Sequence, residues 1–178
     1  MNLTSQTLRH ALSSGTRDLH DALDSGMGNF DHPQDYRRYL RGTYAFRQAV
    51  EPMLSQGKWQ VQPLLTELAA DLHDLDEPLP QAVPRPALDG PAALVAAAYV
   101  LEGSALGARL IQRRAAALGF DATHGARHLA RQTGDAGRWP RFLQWLEESR
   151  DLAAPAVTSA RAVFRTALDA YGQQEVRA

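Results

Sequence analysis

The feature that most narrows the fold is the spacing of the apolar residues, which is helical almost from end to end. Leu8, Leu12, Leu19 and Leu23 fall four and seven residues apart, and similar spacings return wherever apolar residues cluster. Period-two alternation is rare and β-branched residues are scarce, while Ala, Leu, Arg and Gln are plentiful. This reads as a first helix from about Thr4 to Asp24, broken by "SGMGNFDHP". Asp31 then stands as an N-cap ahead of Pro33, and a second helix carries Tyr36, Tyr39, Leu40, Tyr44 and Phe46 to about Leu54. A shorter helix lies in "VQPLLTELAADLHDL". Five prolines in residues 76–91 forbid a helix and predict an extended connector. Beyond it, "PAALVAAAYVLEGSALGARLIQRRAAAL" is a long helix that Gly119 stops. A short helix over 121–132, the turn "TGDAG", and two helices in "RWPRFLQWLEES" and "PAVTSARAVFRTALDAYGQQ" complete an all-α expectation for one compact domain over residues 1–178.

Composition excludes several chemistries. The 178 residues include no cysteine, which removes thiolate catalysis, thiolate zinc sites and iron–sulfur clusters. Any metal must rest on His, Asp, Glu, Tyr or Met. A net charge of −1, with the two signs interspersed, gives no field that favours nucleic acid or an anionic membrane. The N-terminus lacks a basic start followed by an apolar run, and no apolar stretch approaches the ~20 residues of a membrane span. A soluble, cytoplasmic protein is the expectation.

Two stretches carry chemistry. In "LSSGTRDLHDALDS", His20 lies in a row with Leu12 and Thr16 and borders the stripe of Leu19 and Leu23, so it faces the interior or the edge of a groove. Asp24 is one turn further on, where a carboxylate can accept the second ring N–H of a ligating imidazole. Arg17, one turn earlier, can meet an anionic group. On this helix alone, a structural histidine with ordinary ion pairs remains open beside a metal ligand. In "LEGSALGARLI", Gly103 and Gly107 sit inside a long helix, where each costs about 1 kcal/mol against alanine. With Ser104, Ala105 and Ala108 they strip one helix face, which suits either close helix packing or the approach of something flat. Together, an inward histidine and a bare, bendable face make a sandwich for a planar metal cofactor, and haem held by a proximal histidine is the obvious one.

"LSSGTRDLHDALDS" resembles the proximal-helix signature of haem oxygenases, with Leu, Thr, His and an acidic residue four places later. "EGSALGARLI" is similar to the glycine-bearing distal helix of the bacterial branch. The separation of the two stretches, the chain length and the helical pattern fit as well. The resemblance implies an enzyme that uses haem as cofactor and substrate, with electrons from an external donor such as a ferredoxin, flavodoxin or reductase. O2 binds on the distal side, a meso carbon is hydroxylated, and ring opening yields biliverdin, carbon monoxide and ferrous iron. It makes His20 the proximal ligand and Asp24 its orienter, and puts Thr16 in the proximal signature. Gly103 and Gly107 are backbone contacts to the haem face, Ser104 is part of the distal proton-delivering network, and Arg17 is a propionate partner. The animal enzymes have aspartate where this chain has Ser104, and Glu102 is an uncertain substitute. The sequence leaves open whether the biliverdin serves a bacterial phytochrome or iron release is the purpose.

Weaker candidates surround these. Phe164 and Tyr171 share a face of the last helix and could line the pocket, with the Tyr171 hydroxyl reaching a propionate. Trp139, Phe142, Leu143 and Leu146 read as core, with Trp145 nearer the rim. His124 and His128 have metal-friendly spacing, but no carboxylate joins them on that helix and a solvated face is expected. His10, His32 and His73 read as exposed. Three alternatives keep the helical scaffold: a non-catalytic haem or tetrapyrrole carrier or sensor, a domain in which the glycines and His20 only pack, and a thiaminase-like enzyme. The last is weakened by the missing cysteine.

Overall fold

The computed structural model describes residues 7–175. It contains α1 (Leu8–Met27), α2 (Pro33–Val50), a 3-10 segment (Glu51–Gln56) and α3 (Leu65–Asp74). The extended proline-rich connector leads to α4 (Pro91–Ala117), α5 (Arg127–Thr133) and α6 (Arg138–Glu147). A second 3-10 segment (Arg150–Leu152) enters α7 (Ala153–Glu175). No strand occurs among the described residues. The expected start at Thr4 lies outside the described residues, and Thr7 caps α1, its side chain accepting the His10 N–H at 3.2 Å.

Three boundaries differ from expectation for identifiable reasons. His32 rather than Asp31 is the N-cap of α2, because Asp35 reaches back and accepts the His32 N–H at 3.0 Å. The α-helix ends at Val50 and continues as a 3-10 segment, since Pro52 supplies no N–H for another α-helical bond. Helix α5 starts at Arg127 and not near 121. Asp121 instead folds the chain over, its Oδ1 accepting N–H groups from Thr123 at 2.7 Å and His124 at 3.1 Å.

Helix α7 packs against α1, α2 and α4 and is the central element. The buried residues fall into two clusters. One includes Leu8, Leu12, Phe46, Val50, Leu101, Phe142, Leu146 and Phe164. The other includes Tyr36, Tyr39, Leu40, Leu64, Leu68, Leu72 and Leu129. Along α4, residues up to Leu101 belong to the first cluster and Ala108 and Ala115 to the second. The segment between them is "EGSALG", with its two glycines. Helix α4 is also long and apolar enough to cross a membrane by composition, contrary to the sequence expectation. Its apolarity follows from serving both clusters.

Close approach of α2 to α7 requires Gly42. A Cβ there would lie 2.4 Å from Tyr171 Cδ1 and 2.9 Å from its Cγ, atoms too near the backbone to swing aside.

His128 overturns its expectation: it is fully buried, not solvated. Its Nδ1 lies 2.8 Å from Asp71 Oδ2, and Asp71, also fully buried, accepts backbone N–H groups from Arg127 at 2.9 Å and His128 at 3.0 Å. Burial disfavours the imidazolium and pushes the His128 pKa down. Burial alone would raise Asp71, but its bonds to the His128 ring and these N–H groups outweigh that and hold the carboxyl below the usual range. His124 remains exposed, as do His10, His32 and His73.

Two outcomes follow. Gly42→Ala should lower stability by about 1–2 kcal/mol net of its helix-propensity gain, read as a drop in the thermal midpoint by circular dichroism. The depressed His128 means that the unfolded chain binds more protons below pH 6.5, so stability should fall as pH drops through that value. The Asp71 contribution should go only below about 3.8. Urea midpoints measured against pH should show the upper step flattened in His128→Asn.

Candidate active site

Arg161 on α7 fixes the rotation of α1. Its Nη1 and Nη2 donate to the two Asp18 carboxylate oxygens at 2.7 and 2.8 Å, and Nη1 also reaches the Gly15 carbonyl at 2.8 Å. The guanidinium holds the Asp18 carboxyl down to about 2. With α1 so placed, His20 stands over Phe164, their ring centroids 6.0 Å apart at 63°. His20 Nδ1 is 3.2 Å from Asp24 Oδ2, which leaves Nε2 for another partner. The His20 side chain is 58% exposed, opening into a cleft and not into the core.

The cleft lies on the seam between the two buried clusters. Its main lobe, of about 360 Å3, is lined by His20 and Asp24 from α1, Tyr39, Thr43, Phe46 and Arg47 from α2, Gly103, Ser104 and Gly107 from α4, and Phe164 and Tyr171 from α7. A second lobe of about 240 Å3 shares His20, Gly103 and Phe164 and adds Thr16 and Arg17. The structure therefore brings together every residue that the sequence singled out for the site. A Cβ built on Gly103 or Gly107 would meet no protein atom within 4 Å, so helix packing does not require either glycine.

The polar groups differ in detail from expectation. Thr16 is buried and donates its hydroxyl to the Leu12 carbonyl at 2.8 Å, so it forms the floor of the second lobe and offers no free donor. Ser104 donates to the Leu101 carbonyl at 2.7 Å. Thr43 donates to the Tyr39 carbonyl at 2.8 Å, so the Tyr171 hydroxyl, 2.8 Å from Thr43 Oγ1, must donate to it. That corrects the expectation of a Tyr171 hydroxyl on a propionate, because an oxygen whose proton is already committed offers an anion nothing. Burial also pushes the Tyr171 phenol up to about 12. Glu102 points away from the cleft. It is buried, bound by Arg138 through Nε at 2.8 Å and Nη2 at 2.6 Å, and accepts the Trp59 indole N–H at 2.9 Å. Arg17 has no ion-pair partner among the described residues.

Sequence reasoning missed Arg47 and Gln132. Arg47 is buried and donates through Nη1 to Glu51 at 3.0 Å and to the Gln62 carbonyl at 3.2 Å. Gln132 on α5 donates to Ser104 Oγ at 2.8 Å. One signal was available: His128 and Gln132 are four apart on one face of a helix with few apolar residues, so that face had to turn polar groups inward.

No family model matches the chain. Haem oxygenase PigA of Pseudomonas aeruginosa is 33% identical in an alignment covering 88% of this chain and 89% of that protein. A haem oxygenase of Xanthomonas campestris pv. campestris is 31% identical over 78% of this chain and 89% of its own length. The chain belongs to the haem oxygenase family. It is an enzyme that degrades haem. The fold agrees: the haem oxygenase of Neisseria meningitidis, solved with NO and CO bound, superposes with a TM-score of 0.80 at 23% identity, covering 94% of this chain and 92% of the other.

The donor set fits haem. Among the described residues no three His, Asp or Glu are grouped to hold a metal ion by themselves. A metal that brings its own four equatorial nitrogens needs only one protein ligand, and His20 with its Asp24 partner is such a ligand. The space beside Gly103 and Gly107 is what a flat ring needs at a helix face. Gly103→Ala and Gly107→Ala should therefore each raise the stability of the haem-free protein by up to about 1 kcal/mol while weakening hemin binding. Thermal midpoints and hemin titrations of the same variants check both halves.

Proposed function

We propose that haem lies in this cleft with His20 Nε2 as its protein ligand, and that the chain converts it to biliverdin, carbon monoxide and ferrous iron. The observation that supports this reading most is that the His20–Asp24 pair and the unpacked glycines Gly103 and Gly107 line one cleft. Haem supplies the redox-active iron and is itself the ring to be opened.

The residues divide the work by position. Asp24 accepts the Nδ1 proton of His20, which fixes the tautomer that presents Nε2 to the cleft. Phe164 limits rotation of the imidazole, and Thr16 closes the floor beneath it. Gly103 and Gly107 would let the α4 backbone approach the face of a bound haem opposite His20 and exclude bulk water there. Ser104 keeps an acceptor lone pair toward that side, where it can hold a water that passes protons inward. Arg17, without a partner of its own, meets a propionate at the mouth of the second lobe. Tyr171 and Phe46 bound the other end.

The reaction needs electrons from outside, and we assign that role to a soluble ferredoxin, flavodoxin or reductase. The biliverdin passes to an acceptor such as a bacterial phytochrome, or is discarded while the iron is retained. The cysteine-free composition suits a cytoplasmic enzyme.

Hemin titration of the wild type and of His20→Ala tests the reading. The wild type should bind one hemin with a histidine-ligated Soret spectrum. The variant should lose that spectrum and keep its helical circular dichroism, because the side chain is largely exposed and outside the core. Adding reductant and air to the wild-type complex should bleach the Soret band and raise biliverdin absorption. A stable ferrous complex without verdin would overturn the enzymatic assignment of the cleft, and an unchanged His20→Ala spectrum would overturn the ligand.

A further inference from the structure

The hydroxyls of the cleft share a property: their protons are directed away from it. Ser104 donates to the Leu101 carbonyl and Thr43 to the Tyr39 carbonyl. Tyr171 donates to Thr43. Tyr39 is governed by the buried pair behind it. Asp71 is a carboxylate that can only accept, so His128 carries its proton on Nδ1 and Nε2 is an acceptor. The Tyr39 hydroxyl lies 3.4 Å from that Nε2, which can accept its proton. Each of these four hydroxyls has an acceptor for its proton within the protein. Yet a diatomic ligand or water on the open side of a haem iron gathers negative charge, and donors are what stabilise it.

Two lining residues still have N–H groups to offer. Arg47 is held through Nη1 by Glu51 and the Gln62 carbonyl, so its charge is already compensated within the protein. Gln132 is different. Because Ser104 has given away its proton, its oxygen must accept, which fixes the amide with Nε2 toward Ser104. The second Nε2 hydrogen has no partner among the described residues, and the half-buried side chain lines the main lobe. The chain on either side of Gln132 is held in place: Thr133 Oγ1 lies 2.9 Å from Gln112 Oε1 of α4, and the Gln62 side chain donates to the Arg131 carbonyl at 3.1 Å. These contacts keep this part of α5 beside α4.

We propose that Gln132 is the hydrogen-bond donor to the ligand on the distal side of the haem, with Ser104 acting as the acceptor that aims it. This rests on the haem lying in the cleft as proposed above. Ser104 then contributes orientation, and the N–H directed at O2 comes from α5, outside the glycine helix.

The test uses full-length protein loaded with hemin and reduced under CO. A donor near the CO oxygen lowers the C–O stretching frequency, so Gln132→Leu should move that band to higher frequency. It should also release O2 roughly three- to tenfold faster from the ferrous complex, as expected for one lost hydrogen bond. Gln132→Glu keeps the shape and replaces the donor by an acceptor, and should shift the band in the same direction even if the leucine variant folds poorly. Ser104→Ala should broaden the band, since the amide loses its anchor but keeps its N–H. Unchanged infrared bands and O2 release in both Gln132 variants, with the histidine-ligated Soret band intact, would overturn the assignment and leave Arg47 or water as the donor. Failure of the wild type to bind hemin through His20 would instead overturn the placement of haem itself.

Discussion

A helix buries one stripe, and α4 has to supply two cores with it. The residues up to Leu101 pack into one cluster and those from Ala108 into the other, so the intervening turn and a half has no core to fill. Side chains there would point into the seam between the clusters, and the sequence places glycine at the two positions that face it. The cleft is thus a consequence of how the core is divided and needs no separate excavation. Everything else at the site is arranged around that seam. Asp18 and Arg161 turn α1 so that His20 enters it, Gly42 lets Tyr171 close one end, and Glu102 and Ser104 are tied on either side of Gly103 by α6 and α5.

Much of this was legible from residue order. Helical spacing set the element sequence, and the i, i+4 relation of His20 to Asp24 anticipated an ion pair that the structure contains. The helix penalty of the glycines demanded an explanation that their own helix left open between close packing and a bare face, and the structure leaves open space beside both. What could not be read lies in contacts between distant segments. His128 meets Asp71 across 57 residues of chain, and nothing local in "THGARHLARQ" names the carboxylate that lets this histidine be buried. Glu102, an uncertain stand-in for a distal carboxylate by sequence, is claimed by Arg138 and Trp59, partners that lie far along the chain. Boundaries failed where side chains competed with the helix for backbone N–H groups, as at Asp35 and Asp121.

Proton direction is a second lesson of the cleft. Counting hydroxyls would describe a wall rich in donors, whereas following each proton to its acceptor describes the reverse. The buried carboxylate of Asp71 sets this pattern at a distance through the tautomer of His128 and the rotor of Tyr39. The backbone carbonyls of Leu12, Tyr39 and Leu101 do the same for Thr16, Thr43 and Ser104. The hydroxyls of such a wall offer a carboxylate no donor, while the Arg17 guanidinium lies in the other lobe.

Finally, α7 has a consequence for the order in which the molecule can assemble. It is the last of the described helices to leave a ribosome, and it is the element that α1, α2 and α4 all pack upon. Before it emerges, the nascent chain holds His20 and both α4 glycines, but not Phe164 and Arg161, which seat the imidazole. Haem met at that stage finds amphipathic helices without a shaped cleft. Because domains fold as units and long-range contacts form late, the capacity to take up this reactive ring should appear in one step, with the completed bundle.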